Sequence, residues 1–302
     1  SLGRWYRLCN RLARQLEREG EEAVAVALYE VSQLHPARER RTRLLERAGQ
    51  YTQALGVCQL IAEAPWCEEE RDAAQRITPR LQRKLGAGPI PRQRDQFSED
   101  CLTLVRQDMG VELQVAQALS AQWQGVYYVE NQLMNTLFGL AFWEQIFAPV
   151  PGAFNNPFQS VPADMYERAF ANNRQEGIAA RLQQLEKLDL AQELARCWRA
   201  YRGYQCRWVN WRYVDETLVS AATEVIPVSH LLDIWRRMLF DPRENRRGFP
   251  DLLALGSAPG DYEMIEVKGP GDALQDSQKR WLRFFGQAHI PARVVWVQWA
   301  DD

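Results

Sequence analysis

The chain has 302 residues, 46% of them apolar and 11% aromatic, which suffices for two buried cores or one large one. A net charge of -2 excludes a generally basic surface, so any nucleic-acid binding must come from local arginine clusters. Six cysteines without a Cys-x-x-Cys pair, and three histidines, exclude zinc fingers and a disulfide framework. This cysteine usage indicates a reducing compartment. The sequence contains no run of about 18 apolar residues, so it predicts no membrane-spanning helix.

Two segments near the start of the chain repeat each other. LEREG at 16–20 recurs as LERAG at 45–49, and Pro36 and Pro65 keep the same offset of 29 residues. Each copy predicts a helix, a glycine break, a second helix and a proline stop, as in helical-hairpin repeats close to the tetratricopeptide type. The pattern predicts a helical repeat domain over residues 1–95. Arginines crowd its second copy and form either a solvated face or a contact to a phosphate backbone: Arg38, Arg40, Arg41 and Arg43.

A Gly- and Pro-rich charged stretch at 86–100 predicts a linker, and we place a second domain at 96–302. Apolar periodicity in this domain predicts helices over 101–124 and 129–147. Glu130 stands at the head of the apolar stripe of the second helix. It is either a buried carboxylate that needs a partner or a cation, or an acidic residue favoured by the helix dipole.

Residues 196–214 interleave five arginines with six aromatic residues. Such a composition suits nucleic-acid backbones and stacked bases. It also suits an aromatic core whose rim is covered by arginine side chains, and this second interpretation is the one we favour.

Two apolar strands in the last third of the chain carry charged residues at their ends. Pro250-Asp251 leads into LLAL, and the turn GSAPGD separates it from YEMIEVKG. Side chains two apart on a strand share a face, so Glu266 and Lys268 lie together. Because the chain reverses between the strands, we expect Asp251 to meet both residues at one end of the sheet.

The expected constellation of Asp251, Glu266 and Lys268 suits metal-dependent phosphodiester cleavage. Two carboxylates supply hard oxygen ligands for Mg²⁺ or Mn²⁺, and a lysine beside the metal orients water or stabilises developing charge. The alternative is a surface ion pair between Glu266 and Lys268. A helix follows, with Asp272 as the predicted N-cap and Gln275 at the capping-box position, and a last strand covers 293–299.

These residues resemble a known family. GFPDLLAL and IEVKGPGDALQDSQKRWL are similar to the virus-type replication-repair nuclease (VRR-NUC) domain of the PD-(D/E)xK superfamily. VENQLMNTLFGLAFWEQIF and LLDIWRRMLFDPRENRRGFPD resemble Fanconi-associated nucleases. The resemblance implies an α/β fold: tetratricopeptide-like helical-hairpin repeats, then a PD-(D/E)xK nuclease domain with a small mixed sheet flanked by helices. We expect the chain to be a piece of a longer protein, since it lacks an initiator Met and the SAP domain of relatives.

The resemblance implies a structure-specific DNA nuclease, a 5′-flap endonuclease and 5′–3′ exonuclease in interstrand cross-link repair. It implies one or two Mg²⁺ or Mn²⁺ ions, branched or 5′-flap DNA as partner and no membrane. The protein would be cytoplasmic and associated with the nucleoid in a bacterium, or nuclear in a eukaryote. A Holliday-junction resolvase-like nuclease and a non-catalytic DNA-binding repeat scaffold are the alternatives.

The resemblance also implies roles for individual residues. Asp251 and Glu266 match the metal ligands, and Lys268 matches the catalytic lysine. The carbonyl of Val267 is a further ligand, Glu130 matches a helix-borne carboxylate ligand, and Gln278 supports the site.

A basic pocket of the family anchors a 5′-terminal phosphate. Arg243 matches one of its positions, and Arg41 is the expected contribution of the repeat domain. Another basic position of the family is Ser277 here, which weakens the expected pocket.

Overall fold

The computed structural model describes residues 2–88 and 94–300, and the chain forms two compact units, Ser1–Arg94 and Asp95–Asp302. Residues 89–93 of the predicted linker lie outside the described residues. Within the described ranges no single helix is long and apolar enough to span a membrane. One pair of consecutive helices, bent by 111°, passes the same test only when taken together.

In its described residues, 2–88 and 94, the first unit has five helices: α1 Leu2–Arg18, α2 Glu22–Val31, α3 Ala37–Arg47, α4 Tyr51–Glu63 and α5 Glu68–Lys84. Helices α1 and α2 form one hairpin and α3 and α4 the next, which confirms the predicted repeats. Gly20 and Gly49 end the first helix of each hairpin with φ of 85° and 75°. After them, Glu21 and Gln50 donate backbone hydrogen bonds to Leu16 and Leu45, at 2.9 Å each, in a glycine-based C-cap.

Equivalent positions of the two hairpins are buried alike. Ala25 in α2 and Ala54 in α4 have no exposed surface. A methyl side chain lets neighbouring helices approach closely, and larger residues such as Tyr29 and Ile61 fill the space beside it. The repeat in the sequence is therefore a repeat in packing.

The second unit is built on a five-stranded sheet: β1 Glu99–Leu104, β2 Gly125–Tyr128, β3 Leu252–Leu255, β4 Tyr262–Lys268 and β5 Ala292–Trp299. The strand order is β1-β5-β4-β3-β2. Strands β2, β3 and β4 form an antiparallel meander, whereas β5 is parallel to both β4 and β1. The sheet is therefore mixed, as predicted.

Nine helices surround this sheet in the described part of the second unit: α6 Val111–Leu119, α7 Glu130–Ala141, α8 Trp143–Ile146, α9 Ala169–Asn173, α10 Gln175–Lys187, α11 Leu190–Tyr201, α12 Glu216–Val225, α13 Val228–Phe240 and α14 Asp276–Gln287. Helix α6 packs on the face that carries Ile265 and Val267. Helices α7, α13 and α14 pack on the face that carries Leu253 and Met264. Burial on both faces makes β3 and β4 almost entirely inaccessible to solvent.

Two predicted helices differ from the structure. The prediction of helix over 101–124 is wrong at its start, because residues 99–104 pair with β5 as a parallel strand. This partner lies almost 200 residues further along the chain, so local periodicity does not reveal it. The helix predicted over 129–147 breaks at Phe142, whose buried ring packs edge-on against Trp235 at 5.8 Å.

Candidate active site

The β3–β4 hairpin brings Asp251 to the end of β4. Leu252 pairs with Ile265, so Asp251, one residue earlier, lies beside the last residues of β4. The Oδ2 atom of Asp251 accepts a hydrogen bond from the Val267 N–H at 2.8 Å. One carboxylate oxygen of Asp251 is thus fixed by the main chain of the strand that carries Glu266 and Lys268.

Glu266 and Lys268 share a face of β4 and contact each other. Lys268 Nζ lies 2.9 Å from Glu266 Oε1. Glu266 is 1% exposed and Lys268 8% exposed. The pair is therefore buried, in contrast to the surface ion pair considered as the alternative. Burying two charges is costly, and a direct contact between them offsets part of that cost.

Gln278 joins Glu266 to the start of α14. Its Nε2 donates to Glu266 Oε1 at 2.6 Å, and its Oε1 accepts from the Gln275 N–H at 2.8 Å. The N-cap of α14 is Gln275, in a capping box with Gln278. The predicted N-cap Asp272 is wrong, because its Oδ2 accepts from the Gly269 N–H at 2.8 Å and closes the turn after β4 instead.

Glu130 is the first residue of α7 and is held next to Asp251 by the main chain. The Asp251 carbonyl accepts hydrogen bonds from the Val129 N–H at 2.8 Å and the Glu130 N–H at 3.0 Å. Glu130 has a φ of 41°, in the left-handed region that a non-glycine residue adopts at a cost. Its side chain accepts a hydrogen bond from the Tyr128 hydroxyl. The structure therefore brings Glu130 together with Asp251, Glu266 and Lys268.

Burial and mutual repulsion raise the pKa values of Asp251 and Glu266. Burial, as the largest cause, raises the pKa of Glu266 to about 8, with repulsion from Asp251 adding to it and Lys268 opposing it. Burial also raises the pKa of Asp251 to about 6. Glu112 in the first turn of α6 raises both pKa values further, and sequence reasoning missed it. The only feature of the sequence that could have pointed to Glu112 is its place as an acidic residue in the first turn of α6.

The donor set fits a hard divalent cation. Glu266 Oε2 is buried and has no hydrogen-bond partner among the described residues, which is costly for a carboxylate oxygen unless a cation reaches it. No group of three or more His, Cys, Asp and Glu side chains in the described residues is already arranged around a common point. Oxygen-binding cations such as Mg²⁺ keep several waters, so two or three carboxylates are a sufficient protein contribution.

Three side chains that the sequence analysis missed fix the loop before Asp251. Asn131 Oδ1 accepts from the Phe249 N–H at 3.1 Å, and Asn135 Nδ2 donates to the Arg246 carbonyl at 2.9 Å. Trp281 Nε1 donates to the Arg247 carbonyl at 3.0 Å. The two asparagines, four residues apart, lie on one face of α7, and this spacing was their signal.

Arg243 lies in this loop on the surface. Its Nε donates to the Tyr166 carbonyl at 3.4 Å, and the residue is exposed. Gly248 of the same loop lies against Ser277 of α14, so close that an added Cβ would stand 2.6 Å from the Ser277 carbonyl carbon. The loop that bears Arg243 and the helix position Ser277 are therefore neighbours.

The predicted arginine cluster of the first unit is paired with glutamates. Arg41 Nη2 lies 2.7 Å from Glu30 Oε1. The other three pair as follows: Arg38 with Glu70, Arg40 with Glu17, and Arg43 with Glu39 at 2.9 Å. These contacts neutralise much of the local positive charge, so a phosphate at Arg41 would have to displace a carboxylate.

Fold and site together define the class. A mixed sheet with an aspartate ahead of one strand and Glu-x-Lys at the end of the next is the arrangement of a PD-(D/E)xK nuclease domain. The family model of the VRR-NUC domain matches residues 185–299.

Known proteins resemble the chain well beyond this segment. The Fanconi-associated nuclease 1 homolog of Pseudomonas aeruginosa is 37% identical over 306 residues, covering 99% of this chain and 54% of the relative. Fanconi-associated nuclease 1 of Danio rerio is 34% identical over 164 residues, covering 53% of this chain and 16% of the relative. A crystal structure of paFAN1 bound to DNA with a 2-nucleotide 5′ flap and a gap is 37% identical. It matches with a TM-score of 0.76, covering 99% of this chain and 56% of that one.

Over almost its whole length the chain is similar to Fanconi-associated nucleases, and its residues 185–299 match the VRR-NUC domain. It spans about half the length of the Pseudomonas relative and less of the zebrafish one. A nuclease domain of this type implies dependence on a divalent metal ion, which agrees with the donor set around Glu266.

Proposed function

We propose that the chain is the nuclease part of a structure-specific DNA nuclease. It cuts 5′ flaps endonucleolytically, digests DNA from 5′ to 3′ and acts in interstrand cross-link repair. The observation that carries this proposal is the buried contact between Glu266 and Lys268 with Asp251 fixed beside it. The 5′-flap substrate is supported by two paFAN1 structures bound to DNA with 1- and 2-nucleotide 5′ flaps.

The residues that would hold one or two Mg²⁺ or Mn²⁺ ions are Glu130, Asp251, Glu266 and the carbonyl of Val267. When bound, the metal supplies Lewis-acid polarisation of the phosphate and acidifies water for attack. Lys268 has its ammonium group 2.9 Å from Glu266 Oε1, where it can orient water and stabilise negative charge that develops on the phosphate. Gln278 holds Glu266 in the orientation that leaves Oε2 available.

The rest of the chain has roles in binding DNA. Residues 96–302 act as the nuclease domain, and residues 1–95 as a repeat scaffold that contacts DNA, with Arg41 as a contact. Arg243, exposed on the loop that leads into Asp251, anchors a 5′-terminal phosphate. We place the protein at DNA, in the nucleoid of a bacterium or the nucleus of a eukaryote.

A substrate panel tests this proposal. The chain is incubated with 5′-labelled flap duplexes, 3′-flap duplexes and four-way junctions, with Mn²⁺, Mg²⁺ or EDTA. We expect metal-dependent cutting of the 5′ flap in preference to the other two. Symmetric cutting of the junction would identify a resolvase-like nuclease instead. Binding without cutting in every metal would identify a non-catalytic scaffold.

A further inference from the structure

An aromatic cleft of about 540 Å³ lies in the second unit, formed by residues that the proposed active site does not use. Its lining includes Trp143, Phe147, Phe154, Phe158, Gln159 and Tyr204. Phe158 is 81% exposed and Tyr204 66% exposed. Large aromatic rings that are this exposed gain little from the protein core, so their rings are available to a ligand.

The wall of the cleft is a row of aromatic rings in contact with one another. Trp143 stacks on Tyr201 with the ring centres 4.4 Å apart and the planes 7° from parallel. Phe147 contacts Trp143 on one side, at 5.0 Å, and stacks on Phe154 on the other, at 5.9 Å. The row forms a packed aromatic wall, and the exposed rings of Phe158 and Tyr204 beside it offer stacking surfaces to a planar group.

Hydrogen bonds fix the loop that carries Phe158. Gln159 Nε2 donates to the carbonyls of Ala153 and Val161, both at 2.9 Å. The Phe158 N–H donates to Asn156 Oδ1 at 3.0 Å. The exposed phenyl ring therefore stands on an ordered backbone, and binding would not require the loop to become ordered first.

Arginines without carboxylate partners border the cleft. Arg202 and Arg207 flank the lining segment 203–205, and the Arg207 N–H donates to the Ser160 carbonyl at 3.1 Å, next to the Phe158 loop. Among the described residues no carboxylate pairs with the side chain of either arginine, in contrast to the paired arginines of the first unit. Exposed positive charge beside aromatic faces complements a single strand of nucleic acid better than it complements an uncharged peptide.

The cleft and the proposed active site lie at opposite ends of one helix. Glu130 begins α7, and Trp143 follows its last residue by two positions. At about 1.5 Å per residue the two ends are about 20 Å apart. This distance corresponds to about six nucleotides at the ~3.4 Å rise of a stacked strand.

We propose that this cleft binds the bases of single-stranded DNA, namely the flap strand that extends away from the cleavage site. The inference rests on the proposed function for the origin of that strand, and it adds a subsite that flaps of one or two nucleotides do not reach. Phe158 and Tyr204 stack with bases, and Arg202 and Arg207 contact the phosphates between them.

The test measures binding separately from cleavage. Fluorescence anisotropy follows a labelled oligothymidylate of about ten nucleotides with the full chain in EDTA, for wild type, Phe158→Ala, Tyr204→Ala and Arg207→Ala. Tyr213→Ala is the matched control, because Tyr213 is 56% exposed but does not line the cleft. Unchanged Tm values would establish that the variants are folded.

We expect each cleft variant to weaken binding at least about fivefold, as loss of one base–aromatic stack or one phosphate contact does, and the control to bind like wild type. Duplexes with a 1-nucleotide flap should be cut at the wild-type rate by all variants. Unchanged oligonucleotide binding in Phe158→Ala and Tyr204→Ala, or an equal loss in Tyr213→Ala, would overturn the proposal. If wild type cuts no flap but oligonucleotide binding depends on the cleft, the subsite stands and the proposed nuclease function fails.

Discussion

The main chain of Glu130 is hydrogen-bonded to the main chain of Asp251. A single carbonyl, that of Asp251, accepts the N–H groups of Val129 and Glu130, at 2.8 and 3.0 Å. Glu130 and Asp251 are 121 residues apart in sequence, and their contact joins the start of α7 to the residue just before β3. Two proposed metal ligands therefore owe their proximity to backbone contacts, which substitutions of their side chains leave in place.

Glu130→Gln tests the assignment of Glu130 as a metal ligand. The amide can still accept from the Tyr128 hydroxyl but is a poorer ligand for a hard cation, so we expect Mn²⁺ affinity to fall about tenfold or more. The Tm without metal should change little, because the backbone contacts remain. Calorimetric titration with Mn²⁺ measures the affinity, and an unchanged value would show that Glu130 is not a ligand.

Asn131→Ala tests whether α7 positions the loop before Asp251. The substitution removes the acceptor of the Phe249 N–H, and we expect a loss of about 1–2 kcal/mol in the free energy of unfolding. The turnover number should fall more than KM rises, since the loop positions Asp251. Asn131→Asp keeps an oxygen at this position and should restore most of the stability. Equal stability of the alanine variant and wild type in urea denaturation would contradict this role.

Gly248→Ala tests the contact between the loop and α14. The glycine has φ of 86°, and a new Cβ would lie 2.6–2.8 Å from Ser277 atoms, so the loop must move away from the helix. We expect a clear fall in Tm and in cleavage. The control is Gly152→Ala, which has φ of 76° but open space around it, and should cost only about 1 kcal/mol. Equal effects of the two substitutions would mean that backbone strain alone matters.

Arg243→Ala tests the proposed phosphate anchor. Loss of a charge-assisted contact to a terminal phosphate should reduce the preference for 5′-phosphorylated over unphosphorylated ends by about 1.5–3 kcal/mol, roughly tenfold or more. Arg236→Ala is the control, because Arg236 is similarly exposed but lies on α13 in an ion pair with Asp233. If cleavage of both ends falls equally in Arg243→Ala, the residue binds DNA without reading the phosphate.

Glu193 predicts a pH-dependent contribution to stability away from the active site. Arg196 and Arg181, each with a nitrogen 2.8 Å from a carboxylate oxygen, lower the pKa of Glu193 from 4.5 to about 2. Because the folded pKa is below the unfolded one, the contribution is complete above pH 4.5 and disappears as the pH falls through about 2. Glu193→Gln should cost about 2 kcal/mol near neutral pH. Urea denaturation should show this difference shrinking in acid, and a constant difference would contradict it.

The sequence predicted the parts of the site that depend on local geometry. Strand alternation placed Glu266 and Lys268 on one face, and the chain reversal before β4 brought Asp251 to them. Contacts between residues far apart in sequence could not be predicted from local patterns. The pairing of β1 with β5, the packing of Gly248 on Ser277 and the proximity of Glu112 depend on the assembled sheet and helices.

The N-cap of α14 shows how a local rule can also fail. Asp272 has the side chain that N-caps favour, yet it closes the Gly269 turn. Gln275 then caps the helix, and Gln278 takes the third helical position, from which it reaches Glu266. Gln278 thus serves both the cap of α14 and Glu266, which lies on another element.

The most direct test of the central claim compares wild type with Asp251→Asn on a 5′-labelled flap duplex, in Mn²⁺, Mg²⁺ and EDTA. An amide oxygen can still accept from the Val267 N–H, so the variant should fold and bind DNA like wild type. We expect wild type to cut the flap only with metal and the variant to cut it at least about 100-fold more slowly. Wild-type cleavage by a folded Asp251→Asn variant would contradict the proposed active site.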